Sequence, residues 1–233
     1  MIEDAYAEQP LHAGVDVFRD LPPSEVEYLA RRCPIVRLGE KEGLAPLEER
    51  RGVLLLLGGR VRVHEQALGV QGLTFSVAEG ATLVVQTGSE RRSSRALRVE
   101  ALEPSILSIV GWEDFEDLVS RNPEVGLKTI RLLGERLDAY EGRLVDLARK
   151  EVPARLAGLL LRLSEHEGFA EQGERKIPAL YTHKQLASMV GSNREAVTRA
   201  MAKMRRAGAV RTRDRTIYVT DEDALWRLAE AVR

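Results

Sequence analysis

Two helix-start signals stand close together near the C-terminus and leave few folds open to that part of the chain. Thr182 is followed three residues on by Gln185, and Ser192 by Glu195. In each pair a hydroxyl can accept from a backbone N–H of the first turn while the longer side chain accepts from the capping residue's own N–H. The pattern predicts short helices starting at 183 and 193. Gly191 lies at the corner, where a backbone with positive φ is needed. Ala187, four residues before that glycine, is small enough for two helices to approach, and Val197, six after it, can fill the space behind the turn. Leu186, Val190, Ala200 and Met204 supply an apolar interior, and Gly208 ends the second helix. A plain helical hairpin would need only the apolar positions. Agreement among caps, corner and packing residues selects a helix-turn-helix. Beyond it, residues 209–219 read as a β-hairpin wing turning at Asp214-Arg215, and Leu225 and Trp226 as core of a closing helix.

Charge is distributed to match. The chain carries a formal −1, yet Arg175–Arg215 holds 11 Lys/Arg against Glu195 and Asp214, a net +9 that leaves −10 elsewhere. A basic segment on an acidic body points to a polyanion, although a solvated basic face would give the same count.

Upstream, the chain alternates between two periods. Ser24, with Glu27, is read as the N-cap of a helix over 24–32. Short apolar runs follow at 35–38, 53–57, 61–64, 73–77, 82–85, 96–101 and 105–110, with Gly58-Gly59 as a hairpin signal between two of them. Repeated short strands at this spacing predict a β-roll. Asn122-Pro123 then opens a helix, with Asn as cap and Pro at the first helical position. In it Ile130, Leu133, Leu137, Tyr140, Leu144 and Leu147 recur every three or four residues, an a/d seam. A stripe that narrow suits a partner helix, simplest a second copy of the chain, better than a broad contact with its own domain; packing on its own domain stays open. Pro153 breaks the pattern before a further helix over 154–165, and 168–178 reads as a turn-rich connection. The fold expected is α+β: a β-roll over 1–122, a dimerisation helix over 123–152 and a winged helix-turn-helix over 153–233.

Other chemistry is sparse. Cys33 is the single cysteine, so no internal disulfide or CxxC pair can form. His12, His64, His166 and His183 show no metal-ligand spacing, and no phosphate-loop, GxGxxG, GxSxG or HExxH motif occurs. The expectation is a binding protein and not an enzyme, with no cofactor or metal. The longest apolar run, Val53–Leu57, is too short for a membrane span, and the acidic start MIEDAYAEQP is unlike a signal peptide, so the cytoplasm is the expected compartment.

The stretch Ser192-Asn193-Arg194-Glu195-Ala196-Val197-Thr198-Arg199 resembles the recognition helix of the CRP/FNR family of bacterial transcription regulators. The order of parts from Phe18 onward is similar as well. The resemblance implies that Arg194, Glu195 and Arg199 read base edges, on half-sites similar to TGTGA. Arginine suits guanine O6 and N7, and glutamate suits cytosine N4. Thr182, Lys184, Ser192, Asn193 and Thr198 are candidates for phosphate contact. For Glu195 a purely capping role is the alternative. The partners implied are double-stranded DNA, a second copy and RNA polymerase. Members that bind cyclic nucleotides carry Gly-Glu in the β-roll and an Arg-Ser/Thr-Ala about ten residues on. Here Val84-Val85 fill the first places, and Arg95 is followed by Ala96 instead of a hydroxyl residue. Base-contacting polar positions of the long helix align with Tyr140 and Glu141. Two functional expectations follow: DNA binding without cyclic AMP, or the same fold gated by a different small effector in the β-roll.

Overall fold

The computed structural model describes residues 11–44, 52–66, 74–87, 96–178 and 181–231. It divides into two compact units, Met1–Arg136 and Leu137–Arg233.

The first unit begins with two short 3-10 turns, Leu11–Gly14 and Asp16–Phe18, and a helix α1 (Pro23–Arg32). Ser24 does not cap α1. Pro22 takes the N-cap place and Pro23 the first helical position, where a missing N–H costs nothing. Eight strands follow: β1 (Ile35–Leu38), β2 (Gly43–Leu44), β3 (Gly52–Gly58), β4 (Arg60–Gln66), β5 (Thr74–Glu79), β6 (Thr82–Thr87), β7 (Ala96–Ala101) and β8 (Ser105–Gly111). They form two antiparallel four-stranded sheets ordered β1-β8-β3-β6 and β2-β7-β4-β5, the β-roll expected from the spacing. Every apolar run read from the sequence falls on a strand over its described residues, Leu73 lying outside them. The two-residue β2 and the helix α2 (Trp112–Arg121) were not foreseen.

The unbroken run Val53–Leu57 has a structural reason. Leu54 and Leu56 join Val61, Val63, Val99 and Leu107 in the interior of the roll. Val53, Leu55 and Leu57 turn the other way, onto Phe18, Leu29, Cys33, Phe115 and Leu118. A strand covered on both faces loses the polar alternation of a half-exposed one.

Gly58-Gly59 is not a hairpin turn. β3 pairs with β6 and β8, whereas β4 pairs with β5 and β7, so the glycines form a corner where the chain changes sheets. Gly59 adopts φ +89°. A Cβ there would lie 2.6 Å from both Pro104 O and Ser105 Oγ. Ser105 Oγ in turn accepts from Arg60 N at 3.1 Å, which holds the corner shut.

The long helix α3 (Pro123–Arg149) runs from the first unit into the second. Asn122 sits at its start, but its side-chain amide donates back to Leu118 O of α2. Within the first unit α3 packs through Val125 and Leu132. Arg136 reaches from the same side to donate to Val84 O at 2.9 Å and to Leu83 O. This side lies apart from the seam. Ile130, Leu133, Leu137 and Leu144 are 67%, 49%, 57% and 65% exposed, and Tyr140 and Leu147 are each 37% exposed.

The second unit contains α4 (Val152–Glu167), β9 (Phe169–Glu171), β10 (Glu174–Ile177), α5 (His183–Met189), α6 (Arg194–Arg206), β11 (Val210–Arg213), β12 (Thr216–Val219) and α7 (Glu222–Ala229). The connection over 168–178 is in fact a hairpin, and its strands complete a sheet ordered β11-β12-β10-β9. Leu156 and Leu160 of α4 pack with Ile177, Leu186, Val197, Met204, Ile217 and Leu225. Trp226 is not core: it is exposed while Leu225 beside it is buried.

The corner at Gly59 gives a stability test. Gly59→Ala combines a positive φ with a backbone clash and is expected to destabilise the protein by about 1–3 kcal/mol. Urea denaturation followed by circular dichroism checks it. An unchanged midpoint would show that the corner relaxes without cost.

Candidate nucleic-acid interface

The two helices of the motif are capped differently. At α5 the expected box forms: Thr182 Oγ1 accepts from Gln185 N at 3.2 Å, and Gln185 Oε1 accepts from Thr182 N at 2.8 Å. At α6 the expected Ser192–Glu195 box does not. Asn193 is the cap, its Oδ1 accepting from Ala196 N at 2.8 Å, and the helix begins at Arg194, one residue later than expected. Ser192 is held in the turn because its N–H donates to Ala187 O at 2.9 Å. Asparagine caps at least as well as serine, so nothing is lost by the shift. Glu195 consequently stands at the second helical position, with no capping role.

The corner is as the sequence requires. Gly191 has φ +62°, and Ala187 and Val197 are fully buried. α6 ends as expected at Gly208, φ +73°, with Ala209 N donating to Met204 O and Gly208 N to Arg205 O, the paired bonds of a glycine C-terminal stop. Arg155 of α4 adds a fixing point that sequence reasoning missed. Its guanidinium donates to Val190 O at 3.0 Å and to Lys150 O at 2.8 Å. It therefore ties the turn to the end of α3. An arginine set among the apolar residues that open α4 was the available signal.

Val197, Ala200, Met201 and Met204 bury one face of α6. Arg194, Glu195, Thr198 and Arg199 are exposed on the other. Among the described residues, Arg194, Glu195 and Arg199 make no side-chain hydrogen bond or ion pair. Arg199 and Lys203 border a shallow groove against Val152 and Pro153. Thr182, Lys184 and Asn193 are exposed near this face and Ser192 is half-buried. Thr198 Oγ1 is not free: it donates to Arg194 O at 2.8 Å and lies 2.9 Å from His183 Nδ1. His183 is the second residue that sequence reasoning missed. Its pKa lies below the ordinary histidine value because of burial first, then the nearby Arg205 and Arg194 charges.

The wing is a tight hairpin. Asp214 and Arg215 both have positive φ, 50° and 63°, the conformation that matches the twist of the flanking strands. Not every cation of the basic segment is available. Arg211 pairs with Glu174 and stacks 4.1 Å from the Tyr218 ring centroid. Arg175 donates to Ser164 Oγ at 3.0 Å and Gly168 O at 3.0 Å, and Lys176 pairs with Glu171. Lys176 and Arg211 link strands of the sheet, and Arg175 ties it to the end of α4. The cations left exposed are those of α5, α6 and the wing tip.

In the β-roll, Val84 is 4% exposed and belongs to the apolar interior. Val85 and Ala96 are backbone positions of β6 and β7, and Arg95 lies outside the described residues. Arg136, whose reach to Leu83 O and Val84 O was not foreseen, occupies the polar backbone at this place. Burial pushes the Cys33 thiol up to about 11, so it stays protonated and inert. Among the described residues no group of His, Cys, Asp and Glu could hold a metal, and no helix is long and apolar enough to cross a membrane.

A capped two-helix motif with an exposed second helix, followed by a hairpin wing, defines a winged-helix DNA-binding domain. Comparison with known proteins gives the family. A family model for the Crp-like helix-turn-helix domain matches residues 154–228. The chain is 31% identical over 226 residues to the CRP-like cAMP-activated global transcriptional regulator of Mycobacterium tuberculosis, covering 93% of this chain and 97% of the relative. It is 27% identical to the cyclic AMP receptor protein of Thermus thermophilus, with the same coverage. A solved CRP/FNR-family regulator from Eubacterium rectale shares the fold at TM-score 0.70 and 18% identity, over 93% of this chain and 98% of that one. The chain belongs to the CRP/FNR family of bacterial transcription regulators.

The two capping residues can be told apart by mutation. Asn193→Ala is expected to cost about 1 kcal/mol of domain stability, whereas Ser192→Ala should cost only a few tenths. Thermal melts of both variants check this, and the reverse order would restore Ser192 as the cap.

Proposed function

We propose that this regulator acts as a homodimer on an inverted-repeat DNA operator and binds it without cyclic AMP. The observation that carries the reading is the exposed face of α6, where Arg194, Glu195 and Arg199 make no side-chain hydrogen bond or ion pair among the described residues. Unpaired donors and an acceptor on one helix face suit guanine and cytosine edges in the major groove. Thr182, Lys184, Ser192 and Asn193 flank that face and suit the phosphates on either side, whereas Thr198, expected among them, has its one proton committed to Arg194 O. Family membership supports RNA polymerase as a further partner and the cytoplasm as the compartment.

The β-roll supports independence of cyclic AMP. The relatives from Mycobacterium tuberculosis and Thermus thermophilus carry cyclic AMP in their names. In this chain Val84-Val85 stand where the ligand-binding members have Gly-Glu, and Ala96 replaces a hydroxyl. Valine cannot accept from a ribose hydroxyl. The buried Val84 side chain supports an interior filled by protein.

Selection of operators from a random duplex pool by the ligand-free protein tests the reading. The expected result is an inverted repeat of TGTGA-like half-sites with centres ~34 Å apart. Arg199→Ala should weaken binding by about 1–3 kcal/mol and relax the preference at one guanine, while Lys184→Ala weakens all sequences alike. Absence of any enriched site would overturn the assignment. A tenfold gain in affinity on adding cyclic AMP, a coupling of ~1.4 kcal/mol, would overturn its independence of that ligand. Enrichment that requires some other small molecule would favour the effector-gated reading.

The dimer has its own test. Charged residues at Leu137 and Leu144 would have to be desolvated in the seam, and each leucine contributes roughly 1.5–3 kcal/mol when buried. The double variant is expected to scatter light as a monomer. A retained dimer mass would exclude this seam.

A further inference from the structure

His183 opens α5 with its ring half-buried and its Nδ1 2.9 Å from Thr198 Oγ1 on α6. That contact fixes which nitrogen carries the proton. Thr198 Oγ1 also lies 2.8 Å from Arg194 O. A carbonyl oxygen has no hydrogen to give, so the single hydroxyl proton must lie between those two oxygens. Towards His183 the hydroxyl oxygen can then only accept, and Nδ1–H donates to it. In the neutral ring Nε2 therefore holds the lone pair, and no described residue bonds it.

The surroundings of the ring favour the neutral form. Burial and the facing cations Arg205 and Arg194 of α6 all lower its proton affinity, no carboxylate among the described residues opposes them, and Lys184 adjoins it on α5. A phosphate brought to the same place reverses the sign of the local charge. A phosphate oxygen offers only lone pairs, so contact with a neutral Nε2 sets acceptor against acceptor. Contact with a protonated Nε2 is instead a charge-assisted hydrogen bond.

We propose that His183 is a proton-linked contact to the DNA backbone: Nε2 takes up a proton as a phosphate oxygen meets it, while Thr198 holds the ring through Nδ1. The inference rests on the DNA-binding reading above and adds a residue and a regulation to it. The sign follows from linkage. Above its pKa in the free protein and below its raised value in the complex, binding takes up one proton per histidine, and affinity falls as pH rises. Below that window the ring is already charged, and above it the ring is neutral in both states, so at either end the dependence vanishes. The fall is at most about tenfold per pH unit for each histidine engaged.

The test is operator affinity by fluorescence anisotropy, at constant ionic strength, from about pH 5.5 to 8.5, where histidine titrates. The wild type should weaken with rising pH. His183→Gln, which keeps a donor but cannot titrate, should lose this component, and His183→Arg should bind tightly and independently of pH. At the acidic end the wild type should also show a steeper salt dependence than at the alkaline end, by about 0.9 in the log–log slope per added phosphate contact, and His183→Gln should not. Identical pH profiles for wild type and His183→Gln, with binding intact, would overturn the proton-linked contact alone. Failure of the wild type to bind any duplex at any pH would overturn the DNA-binding reading and the contact with it.

Discussion

The division of α3 into two unlike stripes organises the protein. One stripe, Val125, Leu132 and Arg136, is consumed by the β-roll. The other, from Ile130 to Leu147, is apolar and left in water by the single chain. A fully buried leucine contributes roughly 1.5–3 kcal/mol, so six such positions on one helix represent a large unrealised gain. Because the two stripes point different ways, the helix can serve its own domain and a second helix without competition. The seam's heptad spacing is what a like helix would present in return.

The DNA-facing motif is built on the same economy of faces. α6 commits Val197, Ala200, Met201 and Met204 to the core, which leaves the opposite face free of structural duty. The cap at Asn193 matters here beyond its own bond. Had Ser192 and Glu195 formed the box, the Glu195 carboxylate would have been turned back onto the helix start. With Asn193 as cap, that carboxylate is released to the surface. Arg155 complements this by holding the turn's carbonyl at Val190 from behind, so the start of α6 is fixed by groups that need not face DNA.

Most of the architecture was legible because it rests on local signals. The strands followed from apolar runs, the long helix from Asn122-Pro123 and its seam, and the helix-turn-helix from Thr182–Gln185, Ala187, Gly191 and Val197. The failures have physical causes. Gly58-Gly59 gave a turn signal, but a glycine pair reports only the backbone conformation available, not which sheet the next strand joins. Ser192 lost to its neighbour because both residues are good caps and only the Ser192–Ala187 backbone bond decides between them. Trp226 was misplaced because its apolar character alone was read as burial, and in a short amphipathic helix residues about 100° apart need not both reach the core. Arg136, Arg155 and His183 act through partners distant in sequence, 52, 35 and 15 residues away, which no local pattern encodes.

Arg136 bears on how such a regulator is switched. A ligand can shift a two-state protein only by binding one state better than the other, and it does so most directly by joining parts that are otherwise separate. Here α3 and β6 are already joined. A guanidinium, charged at every accessible pH, donates to successive carbonyls of the strand that carries Val84 and Val85. Hydrogen bonds from a charged donor are about twice as strong as neutral ones. The chain thus supplies from its own helix a link at the place where ligand-binding members have Gly-Glu, and the neighbouring valine fills the interior beneath. On the proposed reading, cyclic nucleotide arriving at that place would have to displace these contacts before making its own, and Val84-Val85 offer its ribose no acceptor. The valine pair and the arginine seated beside it both support the proposed independence of cyclic AMP.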